Sequence, residues 1–216
     1  MAQTSPKVAV VDYGAGNLRS VAKALERSGL RAEVAGDAAG MAAADAVVLP
    51  GVGAFADAMQ SLQAKGLDDA VRRGIESGRP YLGLCLGLQL LFDASEEHGE
   101  NAGFGLLPGR VQRFPERAAD ESALRVPHIG WNEVCFEGSH PMLEGLPERD
   151  VYYFVHSFHP VPADPAQRVG ATEYGGRTFC SAAASGSAFA VQFHPEKSQS
   201  SGRRLLDAFA RWIDAC

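Results

Sequence analysis

Cys85 stands between two glycines in GLCLG, residues 83–87, a spacing that suits a reactive thiol. The pattern has the form of the nucleophile elbow GxSxG with cysteine in place of serine. In that motif a strand turns sharply into a helix, and the glycines make room for the strained residue between them. At such a bend the first free amides and the positive end of the helix favour a thiolate, the reactive form of cysteine. The other reading is a small core residue in a tight turn, because cysteine is among the most buried residue types. A nucleophile also needs a base, and QFHPEKS, residues 192–198, offers His194 with Glu196 two positions on. Residues two apart in extended backbone share a face, and Pro195 keeps His194 out of the helical region. The carboxylate can then orient the imidazole and stabilise its cation, the part played by the acid in a Ser-His-Asp constellation. Alone, HPE reads as a surface turn. The third piece is LPGVGAF, residues 49–55, a strand-like run closed by a glycine-rich turn. If it lies beside the elbow, an N–H of Val52 or Gly53 can join that of Leu86 in holding a developing oxyanion. A donor of that kind is worth about 10²–10³ in turnover. Without the other two segments, the same residues are a plain turn into a helix.

Three distant segments can meet only if strands bring them together. KVAVVD (7–12) is β-branched and is followed by YGAGN, after which Leu18, Val21, Ala22 and Leu25 recur at helical spacing. Asn17 is placed as the helix N-cap and Gly29 as its stop. LRAEVA (30–35), DAVVLP (45–50) and RPYLGL (79–84) read as further strands, with helices near 54–64 and 67–77 between the last two. Alternation of this kind predicts a mainly parallel central sheet covered by helices, an α/β architecture. After about residue 100, GRVQRF, HIGWNEVCF, DVYYFVHSF, VGATEYGGRTFCSAA and SAFAVQFHP are all strand-like, and Gly175 with Gly176 suits a hairpin turn. An antiparallel β-rich extension is therefore expected in the second half. LLDAFARWI, with Leu205, Phe209 and Trp212 on one face, predicts a closing amphipathic helix. No linker, repeat or low-complexity tract divides residues 1–216, so one domain is expected.

Composition narrows the chemistry. A net charge of −6 over 216 residues removes the attraction that nucleic acid or an anionic membrane surface would require. MAQTSPKVAV lacks the basic and apolar regions of a secretory leader, and the apolar runs are too short to span a bilayer, so a cytoplasmic location is expected. Cys85, Cys135, Cys180 and Cys216 form no CxxC pair and read as free thiols in a reducing compartment. His156 and His159 lie three apart in a predicted strand, which directs them to opposite faces and argues against a metal pair. YGAGNL is not a dinucleotide-binding loop, since the third glycine of GxGxxG would fall at Arg19. No metal or cofactor is called for.

Cys85, His194 and Glu196, in this order and on strands of this kind, resemble the class I glutamine amidotransferase family, whose fold is flavodoxin-like. Within it the chain is similar to the glutaminase subunits of imidazole glycerol phosphate synthase, through VDYGAGNLRSV, LPGVGAF, GLCLGLQLLF, GFGLLPGRV, HIGWNEV, YYFVHSF and AVQFHPEKS. The resemblance implies hydrolysis of L-glutamine to L-glutamate through a γ-glutamyl thioester on Cys85, with ammonia passed to a (β/α)₈ cyclase subunit in histidine biosynthesis. His194 would protonate the departing ammonia and then activate water, held by Glu196. Gln89 and Glu97 match substrate contacts; their other readings are a helix-surface amide and a solvated acidic turn, the latter accounting for Glu97 equally well. Asn17, Trp131, Tyr153, His156 and Lys197 match the ammonia-delivering interface with that partner, while Trp131 and Tyr153 are also plausible core aromatics. Two features depart from the pattern: Phe158 stands where tyrosine is usual, and His98 adds polarity beside Glu97. A glutaminase serving anthranilate, aminodeoxychorismate or formylglycinamidine ribonucleotide synthesis, and a regulatory subunit without turnover, are the alternatives.

Overall fold

The computed structural model describes residues 5–216; Met1–Thr4, part of the segment expected to lack a leader, lie outside them. In the first half, β1 (Lys7–Val11), β2 (Arg31–Ala35), β3 (Ala46–Gly51) and β4 (Tyr81–Cys85) pair in parallel in the order β2-β1-β3-β4. The connections run through α1 (Leu18–Arg27), α2 (Ala38–Ala42), α3 (Phe55–Ala64) and α4 (Leu67–Glu76). All residues of β3 and β4 are buried, as strands covered on both faces must be. Alternation sorts the core into two layers. Val8 and Val10 pack with Val21 and Leu25 of α1, whereas Ala9 and Val11 pack with Phe55, Met59 and Leu62 of α3. Asn17 caps α1 by accepting from the Ser20 N–H at 3.3 Å.

After β4 come α5 (Leu86–Gln89), β5 (Phe92–Ser95), β6 (Asn101–Ala102), β7 (Leu107–Arg113), β8 (His128–Phe136), β9 (Arg149–His156) and β10 (Phe158–Pro162). β11 (Arg168–Tyr174), β12 (Arg177–Ser185), β13 (Ala188–Val191) and α6 (Gln199–Asp214) complete the chain. The large sheet runs β2-β1-β3-β4-β13-β12-β11-β8-β9, with β13 parallel to β4 and the strands beyond it antiparallel. A smaller sheet, β10-β7-β5-β6, lies apart. Leu205, Leu206, Phe209 and Trp212 of α6 join the layer that holds α1. No helix of the described residues is long and apolar enough to cross a membrane.

Two local expectations change. The helix after the elbow is a single turn, because the apolar run QLLF goes on into β5 of the small sheet. DVYYFVHSF is broken at Ser157, so that β9 belongs to the large sheet and β10 to the small one. The change of sheet cancels the alternation that should set His156 and His159 on opposite faces. Both rings instead lie against Phe114, at centroid distances of 5.2 and 4.6 Å.

Candidate active site

The elbow forms because the backbone leaves no alternative between β4 and α5. Cys85 has φ 54° and ψ −102°, a conformation that costs a non-glycine residue about 1–3 kcal/mol. Its flanking glycines are required by close approach. A Cβ at Gly87 would collide with the Leu49 carbonyl of β3, and one at Gly83 would meet the Gly87 carbonyl and Ala190 of β13. Tyr81 fastens the turn from below, its hydroxyl donating to the Gly87 carbonyl at 2.8 Å. The sulfur-bearing residue is therefore presented by packing, not by a flexible loop.

Strand order supplies the other two segments. Gly51 is the register partner of Cys85, so Val52 and Gly53 continue directly beside the elbow. Leu86 opens α5, where first-turn amides lack an intrahelical acceptor. On the other side β13 pairs Val191 with Leu84, and the chain runs on through Gln192 and Phe193 to His194. His194 Nδ1 and Glu196 Oε1 are 2.9 Å apart, and both side chains are only 4% exposed. His194 Nε2 and Glu196 Oε2 are buried and find no hydrogen-bond partner among the described residues. Burial works against the imidazolium, but the Cys85 sulfur and the Glu196 carboxylate outweigh it and push the His194 pKa up to about 10. The sulfur acts on the imidazole by its proximity and its charge, although its contact with Nε2 falls outside ordinary hydrogen-bond length and angle.

A backbone clamp unforeseen in the sequence fixes the base. The His194 N–H donates to the Tyr153 carbonyl at 2.9 Å. Ser198 Oγ donates to the His194 carbonyl at 2.6 Å and accepts from the Tyr153 N–H at 3.0 Å. The base is in this way tied to β9, four strands before β13 in chain order but adjacent to His194 in space. The spacing of HPEKS, with serine four residues after the histidine, was the only available signal.

Val52, Gly53, Cys85, Leu86, Gln89 and Glu97 line a cavity of about 370 Å³, with His156 and Phe158 on its opposite wall. Two larger concavities, of about 510 and 470 Å³, hold none of the candidate residues. The former lies by Pro6, Asp45 and Pro80, at the N-terminal ends of the parallel strands. The cavity at Cys85 lies at the carboxyl ends, where open α/β sheets take their ligands. Glu97 is half engaged: Oε2 accepts from the Phe55 N–H at 2.7 Å, capping α3, whose Ala54 has no side chain able to do so. Gln89 is 6% exposed, a buried amide and not a helix-surface one. His98, a departure from the family pattern, takes a positive φ of 57° in the turn before Gly99.

The residues expected at an interface divide. Trp131 is 48% exposed and stands edge-on to Tyr153 at 6.0 Å, with Lys197 Nζ 5.9 Å from the Tyr153 ring centre. Exposed Ile129 and Val151 extend this face of β8 and β9. Trp131 is thus not a core aromatic. Asn17 is exposed at the start of α1. His156 is buried on the other side of β9 and joins the cavity wall, not the exposed patch. Among the described residues no cluster of three or more His, Cys, Asp or Glu side chains could hold a metal ion.

The family description glutamine amidotransferase class-I matches residues 9–211. The chain is 48% identical to the imidazole glycerol phosphate synthase subunit HisH of Synechococcus sp. (strain JA-3-3Ab), over 96% of this chain and 94% of that one. It is 51% identical to the HisH subunit of Aromatoleum aromaticum, over 95% and 98% of the two chains. Among solved structures, PurLQS from Thermotoga maritima superposes with a TM-score of 0.75 at 19% identity, over 97% of this chain and 100% of that one. The glutaminase domain of Trypanosoma brucei CTPS with bound acivicin gives 0.64 at 17%, over 98% and 94%. The structural likenesses speak for the fold alone.

Proposed function

The chain belongs to the class I glutamine amidotransferase family, and from that premise we propose the chemistry of its site and the partner it serves. It is a glutamine amidotransferase, the glutaminase subunit of an imidazole glycerol phosphate synthase, as its relatives at about half identity over nearly their whole length support. The observation that carries the site is the elbow sulfur of Cys85 at the carboxyl edge of β4, flanked by the buried His194–Glu196 pair.

Cys85 Sγ attacks the side-chain amide carbon of L-glutamine held in the cavity. The carbonyl oxygen takes up the negative charge and is met by the Leu86 N–H together with one from Val52 or Gly53. His194, protonated at Nε2 by the influence of sulfur and Glu196, gives its proton to the amide nitrogen, and ammonia leaves a γ-glutamyl thioester. The neutral imidazole then takes a proton from water, which attacks the thioester and releases L-glutamate. Glu196 keeps Nδ1–H occupied, so Nε2 is the nitrogen that exchanges protons. Gln89 and the free Oε1 of Glu97 bind the amino-acid end of the substrate.

Ammonia passes to a partner subunit, a (β/α)₈ cyclase, which docks on the patch of Trp131, Tyr153 and Lys197 and beside Asn17. His156 contributes from beneath, through the cavity wall. Exposed apolar side chains with an aromatic anchor and a cation at the edge are the composition of such an interface. The test is glutamate release by the chain alone, with the cyclase, and with the cyclase plus its nucleotide. Release stimulated by the liganded cyclase supports the reading. Equal release in all three, or stimulation by a different synthase subunit instead, overturns it.

A further inference from the structure

Gln192 has no part in the steps above, yet it is fully buried beside the nucleophile, with Nε2 3.6 Å from Cys85 Sγ. We propose that Gln192 is a positioning residue for Cys85: its amide N–H is donated to sulfur, holding the atom in place and favouring its anionic form. The inference rests on the reading of Cys85 as the nucleophile.

What gives the contact meaning is that the direction of the Gln192 amide is fixed. Gln89 Nε2 donates to the Phe158 carbonyl at 2.9 Å and to Gln192 Oε1 at 3.1 Å. A backbone carbonyl can only accept, so the group that Gln89 presents there must be its nitrogen. The second N–H of that nitrogen requires an oxygen from Gln192, which turns Gln192 Nε2 toward sulfur. A flipped Gln192 would set N–H against N–H and direct its oxygen at the thiolate. The other side of the Phe158 carbonyl is equally determined. It accepts from His156 Nδ1 at 2.8 Å, which burial keeps neutral. His156 Nε2 must then accept from His128 Nδ1 at 3.2 Å, and His128 Nε2 from Asn132 Nδ2 at 3.3 Å. Each group in the row has one role, so rotating any of them leaves a buried partner unmatched.

The physical effect is specific to the anion. An N–H donated to a charged acceptor is worth more than one donated to a neutral one, so the contact shifts the balance toward thiolate. The titratable groups facing Cys85 are Tyr13 from the segment after β1, His194 and Glu196 after β13, and Glu97 and His156 across the cavity. His194 is the cation among them. Gln192 adds a neutral donor, with no charge that could titrate or repel His194, from the residue directly after β13.

The experiment compares the unsubstituted chain with Gln192→Met and Gln192→Glu, each alone and in complex with the cyclase. Alkylation of Cys85 by iodoacetamide is followed by peptide mass, which separates it from the other three cysteines, between about pH 5 and pH 10. For Gln192→Met the pH of half-maximal alkylation is expected to rise by about one pH unit, and kcat for glutamine to fall about tenfold with KM within about twofold. Gln192→Glu keeps the shape and the bond from Gln89, so it carries the test if the methionine variant does not fold. It is expected to move the profile further upward, because a carboxylate faces the thiolate. Alkylation profiles and kcat that superimpose on those of the unsubstituted chain overturn the proposal. A Cys85 that resists alkylation at every pH, or a Cys85→Ala variant with undiminished glutamate release, removes the nucleophile reading instead.

Discussion

Acidification is expected to weaken the fold through the buried pair His128 and His156, by an amount that follows from their surroundings. Burial pushes their pKa values down to about 4 and about 3, against 6.5 for a free imidazole. Above pH 6.5 neither the folded nor the unfolded chain protonates them, and they contribute nothing to pH dependence. As the pH falls through 6.5 the unfolded chain takes up protons that the folded chain refuses until about pH 3–4, so stability drops across that window. At pH 5 the unfolded imidazole is bound about thirtyfold in favour of the proton and the folded one hardly at all, which is about 2 kcal/mol for each histidine and about 4 kcal/mol for the pair. His128→Gln isolates half of this, since glutamine supplies a donor and an acceptor but does not titrate. Urea unfolding at about pH 7 and about pH 5 reads the difference. The unsubstituted chain should lose about 2 kcal/mol more than the variant, while carboxylates and the similarly lowered His140 and His159 cancel in the comparison. Equal losses in the two proteins would refute the claim that the pair is held neutral.

Gly87→Ala should cost about 3 kcal/mol in urea unfolding, because its methyl group meets the Leu49 carbonyl; a change below about 0.5 kcal/mol would mean that the elbow is free to relax. Ser198→Ala removes one bond at the His194 carbonyl and one at the Tyr153 N–H, so a loss of about 1–3 kcal/mol is expected, together with lower kcat; unchanged stability and turnover would show that the clamp is idle. His194→Ala should reduce glutamate release more than Glu196→Gln, since proton transfer is lost in the first and only its orientation in the second. Equal or reversed losses in steady-state assays would reject that ranking.

Much of the elbow was readable because its causes are local. Glycines on both sides of Cys85 announce a bend, and His194 keeps the extended dihedrals expected before Pro195; but Pro195–Lys197 forms a 3-10 turn in place of the expected extended run, and it is this turn that carries Glu196 back to within 2.9 Å of His194. Continuous apolar runs likewise placed β1, β3 and β4, since burial on both faces leaves a dense apolar signature, and helical spacing placed the closing helix. What could not be read depends on neighbours far along the chain. QLLF is apolar enough to prolong the helix, and only the pairing of Phe92–Ser95 with β7 and β6 makes its end the start of β5. Ser157 carries no signal of a change of sheet, so the fates of His156 and His159 were misjudged. Glu97 reads as a solvated acidic residue until α3 is seen to lack a cap of its own. The Gln89–Gln192 bond joins positions 103 residues apart, and neither glutamine differs in type from one on a surface.

The most direct measurement is to quench the complex of this chain, the cyclase and its nucleotide with acid during turnover of L-glutamine, and to map adducts by peptide mass. A γ-glutamyl group on the peptide carrying Cys85, lost on treatment with hydroxylamine and absent from Cys85→Ala, is the predicted result. Steady glutamate release with no adduct on that peptide, or with the adduct on Cys135, Cys180 or Cys216, would contradict it.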